Sequence, residues 1–345
     1  MVVKSINLKN FRCHKDITVE LNPNVTIITG KNGSGKTSIL EAIYIVSRGR
    51  SFKGSLKDSI NTKSEWWNIK TYIDDEEIKS SIKKEKENFI KQFTINETKF
   101  KSLPNKYKKP IVLFEPEDMR IINGSPTRRR DYIDNLISQY DLKYGLYLNK
   151  YNKLLKQRNY LLKKPNTKRD DFFAWNLSLS EYGSYIVKQR VKLIKQLNEN
   201  IKPIYKRLSD NHDEVSFQYS ESESENTQQK LFNKLEKNIT KDKMIGSTSI
   251  GPHRHDVFFY INNKEAKATA SRGENRTIIL ALKFFEIELV EKNTGKKPII
   301  LLDDVYSELD SIRQKKLNNF TTDHQVVITS VNMLNLNKNQ NSVVL

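Results

Sequence analysis

Cysteine is almost absent: Cys13 is the only one in 345 residues. That excludes an internal disulfide framework, a Cys-x-x-Cys redox hook and a cysteine zinc site. Long apolar runs are missing too, since no window offers the roughly 18 apolar residues of a membrane span. The N-terminus, Met1-Val2-Val3-Lys4-Ser5-Ile6-Asn7-Leu8, alternates like a strand and lacks the apolar core of a signal peptide. A cytoplasmic location without a membrane partner is expected. Acidic charge is also in short supply. Against 60 lysines and arginines stand 41 aspartates and glutamates, a formal charge of +19 that suits a polyanionic partner. The excess is lysine-heavy in a chain rich in Asn and Ile, a pattern that codon bias alone produces, so charge by itself leaves DNA binding open.

What is present begins with Gly30-Lys31-Asn32-Gly33-Ser34-Gly35-Lys36-Thr37, a complete phosphate-binding loop followed by Ser38. Before it, the β-branched run Val25-Thr26-Ile27-Ile28-Thr29 reads as a buried strand; after it, residues 38–44 have helical spacing. Glycines at such a strand-to-helix turn permit backbone angles closed to other residues and turn successive N–H groups, with the helix N-terminus, towards phosphate. ATP is therefore the expected ligand, with Lys36 reaching its β- and γ-phosphates and Thr37 holding Mg²⁺.

Near the other end, Lys297-Pro298-Ile299-Ile300-Leu301-Leu302-Asp303-Asp304 is an apolar run closed by two carboxylates. It reads as a Walker B strand, central in a parallel sheet because it is apolar on both faces. Asp303 is expected to coordinate Mg²⁺, directly or through water, and Asp304 to orient or deprotonate the attacking water. Alone, an apolar run ending in Asp-Asp is weak; beside a phosphate loop it is strong.

A third element, Ala270-Ser271-Arg272-Gly273-Glu274-Asn275-Arg276, opens an apolar helix about 30 residues before that strand. By itself it is a helix cap with an acidic first turn. At that position it resembles the signature of ABC ATPases, and Val305-Tyr306-Ser307-Glu308-Leu309-Asp310 is similar to their D-loop. Further strings narrow the resemblance. Phe114-Glu115-Pro116-Glu117-Asp118, Gly124-Ser125-Pro126, Arg128-Arg129-Arg130-Asp131-Tyr132-Ile133-Asp134 and Gly251-Pro252-His253-Arg254-His255-Asp256 resemble the RecF family of SMC-like ABC ATPases over residues 1 to about 335. Two departures stand out: His255 occupies a position where that family has an acid, and Glu274-Asn275 replaces the more usual Gln-Gln or Gln-Arg.

The resemblance implies an α/β fold, an ABC-type ATPase head of the P-loop class with a mixed sheet and an inserted α-helical lobe. The expected segments are 1–124, an ATPase lobe with the phosphate loop and an outer antiparallel sheet; 125–243, the helical lobe; and 244–345, the lobe with signature, Walker B and D-loop. It further implies ATP sandwiched between the Lys36 loop of one subunit and Ser271 and Gly273 of another, with Asp310 near the interface. An ATP-dependent homodimer would then hold duplex DNA and gapped or single-strand junctions at the nucleoid. RecR and RecO would be partners, helping RecA to load, and hydrolysis would be slow.

Along the rest of the chain, Ile6, Leu8, Ile17, Val19 and Leu21 alternate as paired strands do, with Asn10-Phe11-Arg12-Cys13-His14 between them. That turn resembles an SMC-type element near the nucleotide, so Arg12 is either a phosphate or adenine contact or a surface arginine at a hairpin. Residues 64–98, with Trp66-Trp67, read as an antiparallel sheet. Tyr140, Tyr144, Tyr147, Tyr151 and Leu154 fall on one face of a long helix; an aromatic stripe like this stacks bases in some proteins and more often forms a seam between helices. Residues 172–208 supply the partner helix, and 213–229 reads as polar, with 221–226 a solvated loop. Arg128, Arg129 and Arg130 crowd a first helical turn, where the macrodipole disfavours cations. Asp131 and Asp134 compensate internally, or DNA phosphate does so externally. His253 and His255 have a His-x-His spacing but no third metal ligand. Another SMC-like ATPase would need a longer insertion. A transporter ATPase would need a switch histidine where this chain has Thr329 and Ser330, His324 lying at the other end of that strand.

Overall fold

The structure is a computed structural model that describes residues 2–209, 213–222, 226–331 and 340–345, apart from the side chains of Glu308 and Gln340. The chain divides into two compact units, one of residues 1–118 with 286–345 and one of residues 119–285.

The first unit opens with β1 (Val3–Phe11) and β2 (His14–Glu20), antiparallel strands joined through Arg12 and Cys13. Ile6 and Leu8 of β1 are fully buried while Asn7 and Lys9 face outward, the period of two that a sheet with one covered face imposes. β3 (Val25–Thr29) leads through the phosphate loop into α1 (Lys36–Arg48). Ile39, Leu40, Ala42, Ile43, Ile45 and Val46 bury α1 all round, because it packs against strands of two different sheets. β4 (Trp66–Ile73), β5 (Glu76–Glu85), β6 (Asn88–Ile95) and β7 (Thr98–Phe100) complete an antiparallel sheet in the order β2-β1-β4-β5-β6-β7. Only one of the adjacent tryptophans is core. Trp67 is fully buried, edge-on to Phe11 at 5.5 Å, while Trp66 points outward, as neighbours on a strand must. β8 (Ile111–Phe114) ends this stretch.

The second unit begins with α2 (Arg120–Asn123), α3 (Pro126–Tyr140), α4 (Leu142–Leu162) and α5 (Phe173–Leu208). The tyrosine stripe does not lie on one helix. Asp141 leaves the helical region at φ −111°, ψ 96°, and its carboxylate accepts from the Tyr144 N–H at 2.9 Å, capping α4. Tyr144 and Tyr151 are buried, whereas Tyr147 lies half-exposed with Tyr182 and Tyr185 of α5. Gly183 permits close packing there: a Cβ at that position would lie 2.7 Å from Leu231 and 3.3 Å from Tyr151.

β9 (Val215–Tyr219) follows, then α6 (Thr227–Lys237), α7 (Ile239–Ile245), β10 (Val257–Ile261), β11 (Lys264–Glu265) and α8 (Ala266–Thr269), with the three strands ordered β11-β10-β9. β9 corrects the polar reading of 213–229: Phe217 and Tyr219 turn inward, Phe217 packing edge-on to Phe259 at 5.3 Å. Of the expected solvated loop 221–226, residues 223–225 lie outside the described ones.

Buried ion pairs help to hold this unit. Arg158 and Asp242, both fully buried, meet at 2.8 Å, and Arg158 also donates to Asn176 and Thr248 at 2.7 Å each. Arg190 forms a two-pronged pair with Asp134, each prong 2.9 Å, and donates to the Pro252 carbonyl at 2.7 Å and the Tyr219 hydroxyl at 3.1 Å. Burial of this kind is tolerated when most donors find an acceptor; Arg158 Nη2 is the exception, buried with no hydrogen-bond partner among the described residues.

α9 (Arg272–Thr294) counts with the first unit from Glu286 onward, and β12 (Ile299–Asp303), α10 (Ser311–Thr321), β13 (Val326–Ser330) and β14 (Gln340–Val344) follow. They complete a parallel sheet in the order β14-β3-β13-β12-β8. Ile299 to Leu302 of β12 are fully buried, as a central parallel strand requires. Among the described residues no helix is long and apolar enough to cross a membrane.

Candidate functional site

The phosphate loop leaves the C-terminal end of β3, where open parallel sheets bind ligands. Gly33 and Gly35 adopt left-handed φ values of 85° and 96°. Gly35 is doubly constrained, since a Cβ there would fall 2.3 Å from His14 Nε2 and 2.4 Å from Cys13 Sγ. It caps α1 without a side-chain hydrogen bond, so the amides of the first turn are not taken by a capping side chain. Lys36 is buried, and its ammonium donates to the Gly30 and Lys31 carbonyls at 2.7 and 3.0 Å. The Ser38 N–H returns to the Gly35 carbonyl at 2.9 Å. Among the described residues the buried Ser34 hydroxyl has no hydrogen-bond partner, a polar atom that a phosphate oxygen would satisfy. Lys31 and Asn32 are exposed on the outer turn of the loop.

Residues of the phosphate loop and of the Walker B strand meet directly. The Thr37 hydroxyl donates to Asp303 Oδ1 at 2.7 Å, and the Thr329 hydroxyl donates to the same oxygen at 2.9 Å. Thr329 in turn accepts the Asp304 N–H at 3.0 Å. Asp304 sits in the left-handed region at φ 53°, ψ 26°, which ends β12 and turns the second carboxylate out of the strand. Hydroxyl and carboxylate oxygens at the end of a parallel strand form a donor set that suits Mg²⁺, a hard cation, and the loop amides with Lys36 suit phosphate. Thr329, which stands where a switch histidine would, is thus a structural hub; His324 lies at the other end of β13, 3.5 Å from Glu291.

Two residues around the loop were not legible as site residues. His14 Nε2 is 3.1 Å from the Gly35 carbonyl. Glu41, fully buried in α1, takes a two-pronged pair from Arg12 at 2.9 and 2.7 Å and a hydrogen bond from Ser51 at 2.6 Å. The only sequence signal was a carboxylate inside an otherwise apolar helix. Arg12, with φ 53°, also donates to the Asp58 carbonyl at 2.7 Å, and the hydrogen bond to Glu41 holds its guanidinium pKa above the usual value. It is therefore neither a loose surface arginine nor a side chain aimed only at ligand.

In the signature, Ser271 and Glu274 form a reciprocal capping box: the Glu274 N–H donates to Ser271 Oγ at 3.2 Å and the Ser271 N–H to the Glu274 carboxylate at 2.6 Å. Ser271 remains exposed and Gly273 half-exposed. In the D-loop, exposed Asp310 caps α10, accepting from the Arg313 N–H at 2.8 Å, and that bond holds its carboxyl below the usual range.

The arginine triplet does not act as one cluster. Arg129 is buried, bonded through both prongs to Asp256 at 2.7 Å each and to the Ile122 and Gly124 carbonyls at 3.2 and 2.9 Å. It is corrected from a DNA contact to an internal tie, and its compensating acid is Asp256 rather than Asp131 or Asp134, the latter being committed to Arg190. Arg130 donates to the His255 carbonyl and the Thr127 hydroxyl, both at 2.9 Å, and burial lowers its pKa. Arg130 and Arg128 remain partly exposed.

His253 and His255 diverge. His253 lies between the Tyr151 hydroxyl, 2.7 Å from Nδ1, and the Thr248 carbonyl, 3.0 Å from Nε2. His255 Nδ1 is 3.0 Å from the Tyr219 hydroxyl. Burial pushes both down to about 4, so both are neutral near pH 7. Among the described residues no group of three or more His, Cys, Asp or Glu could hold a metal.

Residues 1–342 match the AAA ATPase domain family. The DNA replication and repair protein RecF of Clostridium botulinum strain Okra is 37% identical over 344 residues, covering 98% of this chain and 94% of that protein. RecF of Clostridium novyi is 35% identical over 342 residues, covering 97% and 94%. A solved structure of the recombination mediator protein RecF with ATP, in the RecFOR pathway, superposes with a TM-score of 0.88 at 33% identity, covering 97% of this chain and 93% of that one. An SMC head bound to the C-terminal winged-helix domain of ScpA shares the fold, with a TM-score of 0.52 at 15% identity over 96% and 90% of the two chains.

Proposed function

The chain belongs to the RecF family of DNA replication and repair proteins, and from that premise we propose that it is a nucleotide-gated DNA-binding switch that hydrolyses ATP slowly. The observation that carries the reading is the 2.7 Å contact between Thr37 and Asp303, which joins the two phosphate-handling motifs across 266 positions of sequence.

ATP is the substrate. Lys36 exchanges its loop carbonyls for the β- and γ-phosphates, the Gly30 to Thr37 amides and Ser34 cradle them, and Ser38 continues the first turn of α1. Thr37 and Asp303 would hold Mg²⁺, which when bound supplies charge neutralisation at the transferring phosphate. Asp304 orients the attacking water and accepts its proton, while Thr329 holds Asp303 and the Asp304 backbone in register. Arg12, fixed by Glu41, edges the nucleotide site.

Ser271 and Gly273 at the N-terminus of α9, with Asp310 nearby in sequence to Walker B, serve the phosphate held by a second copy. ATP then favours a homodimer and hydrolysis releases it. That dimer holds duplex DNA at a gap or single-strand junction, Arg128 and Arg130 contributing phosphate contacts, and acts with RecR and RecO to help RecA load. The protein works in the cytoplasm, at the nucleoid.

Lys36→Ala tests the foundation. It should abolish tight ATP binding and ATP-dependent dimerisation, read by nucleotide titration and sedimentation. Unchanged ATP affinity would overturn the proposal.

A further inference from the structure

The helical hairpin α4–α5 carries a basic aromatic surface with no role in the nucleotide site. Between Asp141 and Asp170 the sequence has nine lysines and arginines and no acidic residue, and all nine but the fully buried Arg158 are exposed. Lys143, Tyr147 and Lys150 follow one another at spacings of four and three on α4, which aligns them on one face. Facing them, Tyr182 and Tyr185 of α5 stand three apart.

The three rings touch. Tyr147 meets Tyr182 at 4.8 Å and Tyr185 at 5.1 Å between centroids, both edge-on, and all three are half-exposed. Lys143 lies over Tyr147 and Tyr185 at 5.2 and 4.8 Å, and Lys150 over Tyr147 and Tyr182 at 5.9 and 5.3 Å. Leu146 beside them is 52% exposed. Of the nearby acids, Asp141 is taken up by the Tyr185 hydroxyl at 2.9 Å and by the α4 N-terminus, and Glu181 is exposed next to Tyr182.

We propose that this Tyr147, Tyr182 and Tyr185 cluster, with Lys143 and Lys150, is a docking surface for single-stranded DNA. The inference rests on the reading of the chain as a DNA-binding ATPase and adds the place where an unpaired strand is held. Duplex bases offer only their edges, so exposed rings gain nothing from a duplex, whereas an unpaired base can stack on them. A lysine over a ring face is a removable cover: its flexible stem lets the ammonium swing to a phosphate while the base takes the ring. Exposed Lys153, three residues on from Lys150, extends its basic edge.

The test is fluorescence anisotropy with a labelled oligo-dT of about 20 nucleotides and a blunt duplex of equal length, using the full chain with ATP and Mg²⁺. Tyr147→Ala/Tyr182→Ala should weaken oligo-dT binding about tenfold or more, since each base–aromatic stack is worth that much. Tyr147→Phe should bind within about twofold of wild type. Duplex binding and DNA-free ATP hydrolysis should not change in either. Should the alanine pair disturb the hairpin, Lys143→Gln/Lys150→Gln, on exposed side chains, should still lower oligo-dT affinity and its salt slope by about 1.4. Equal oligo-dT affinity in wild type and the lysine variant, or a wild type that binds duplex but no oligo-dT, overturns the surface alone. A wild type that binds neither overturns the DNA reading together with it.

Discussion

The two units solve opposite problems with charge. Around the phosphate loop, short apolar strands bring Lys36, Thr37, Asp303 and Asp304 to the end of one parallel sheet, where Lys36 is held by backbone carbonyls and Asp303 by hydroxyls, with one buried ion pair, Arg12–Glu41, beside them. In the second unit, Arg158, Arg190 and Arg129 each close on a buried or nearly buried acid and leave little for an outside partner. Charges held by carbonyls and hydroxyls can be handed to a ligand at small cost. Charges locked in buried ion pairs cannot, since removing one partner strands the other.

Breaking each arrangement should give different readouts. Asp304→Asn removes the carboxylate proposed to orient water but leaves Asp303, the proposed metal ligand, so turnover should fall by about 10² to 10⁴ while ATP affinity stays. A wild-type rate would move the base elsewhere, with Glu117 or Glu308 to test next. Arg158→Met strands Asp242 in the interior and should cost about 3 to 5 kcal/mol of stability in urea unfolding, with nucleotide affinity of the folded protein unchanged. Arg158→Met/Asp242→Leu should recover much of that loss. If the single variant is as stable as wild type, the second unit is not held as described.

The smallest effect is one of pH. His253 is pushed down to about 4, below the ordinary value of 6.5. Above 6.5 neither folded nor unfolded chain protonates it and its contribution is whole. Between 6.5 and 4 the unfolded chain takes up a proton that the native one refuses, so stability falls with pH by about 1.4 kcal/mol per unit for this histidine. His255, shifted alike, adds a similar slope. His253→Gln should flatten the pH dependence of the unfolding midpoint over that window; an unchanged slope would mean that the imidazole titrates freely.

What could be read from sequence follows the same division. The phosphate loop and Walker B strand were legible because their function demands local patterns: glycines where φ is positive, four apolar residues before a carboxylate. The capping box at Ser271 was legible for the same reason, as its two partners lie three residues apart. Arg129 was not, because its acid, Asp256, is 127 positions away and no periodicity links them. The tyrosine stripe was half legible: spacing put Tyr144 and Tyr151 in a seam, but nothing in it announced that Asp141 would end one helix and cap the next. β9 was lost because five alternating residues are outweighed by the polar sequence around them.

The central claim is that ATP closes a composite site between two copies, and sedimentation velocity of wild type and Ser271→Arg, each with and without ATP and Mg²⁺, tests it most directly. Wild type should pass from monomer to dimer on adding nucleotide. Ser271→Arg should bind ATP in its intact Lys36 loop yet remain monomeric, and mixing it with Lys36→Ala should restore part of the hydrolysis through one intact composite site. A Ser271→Arg protein that dimerises with ATP as wild type does would contradict the account.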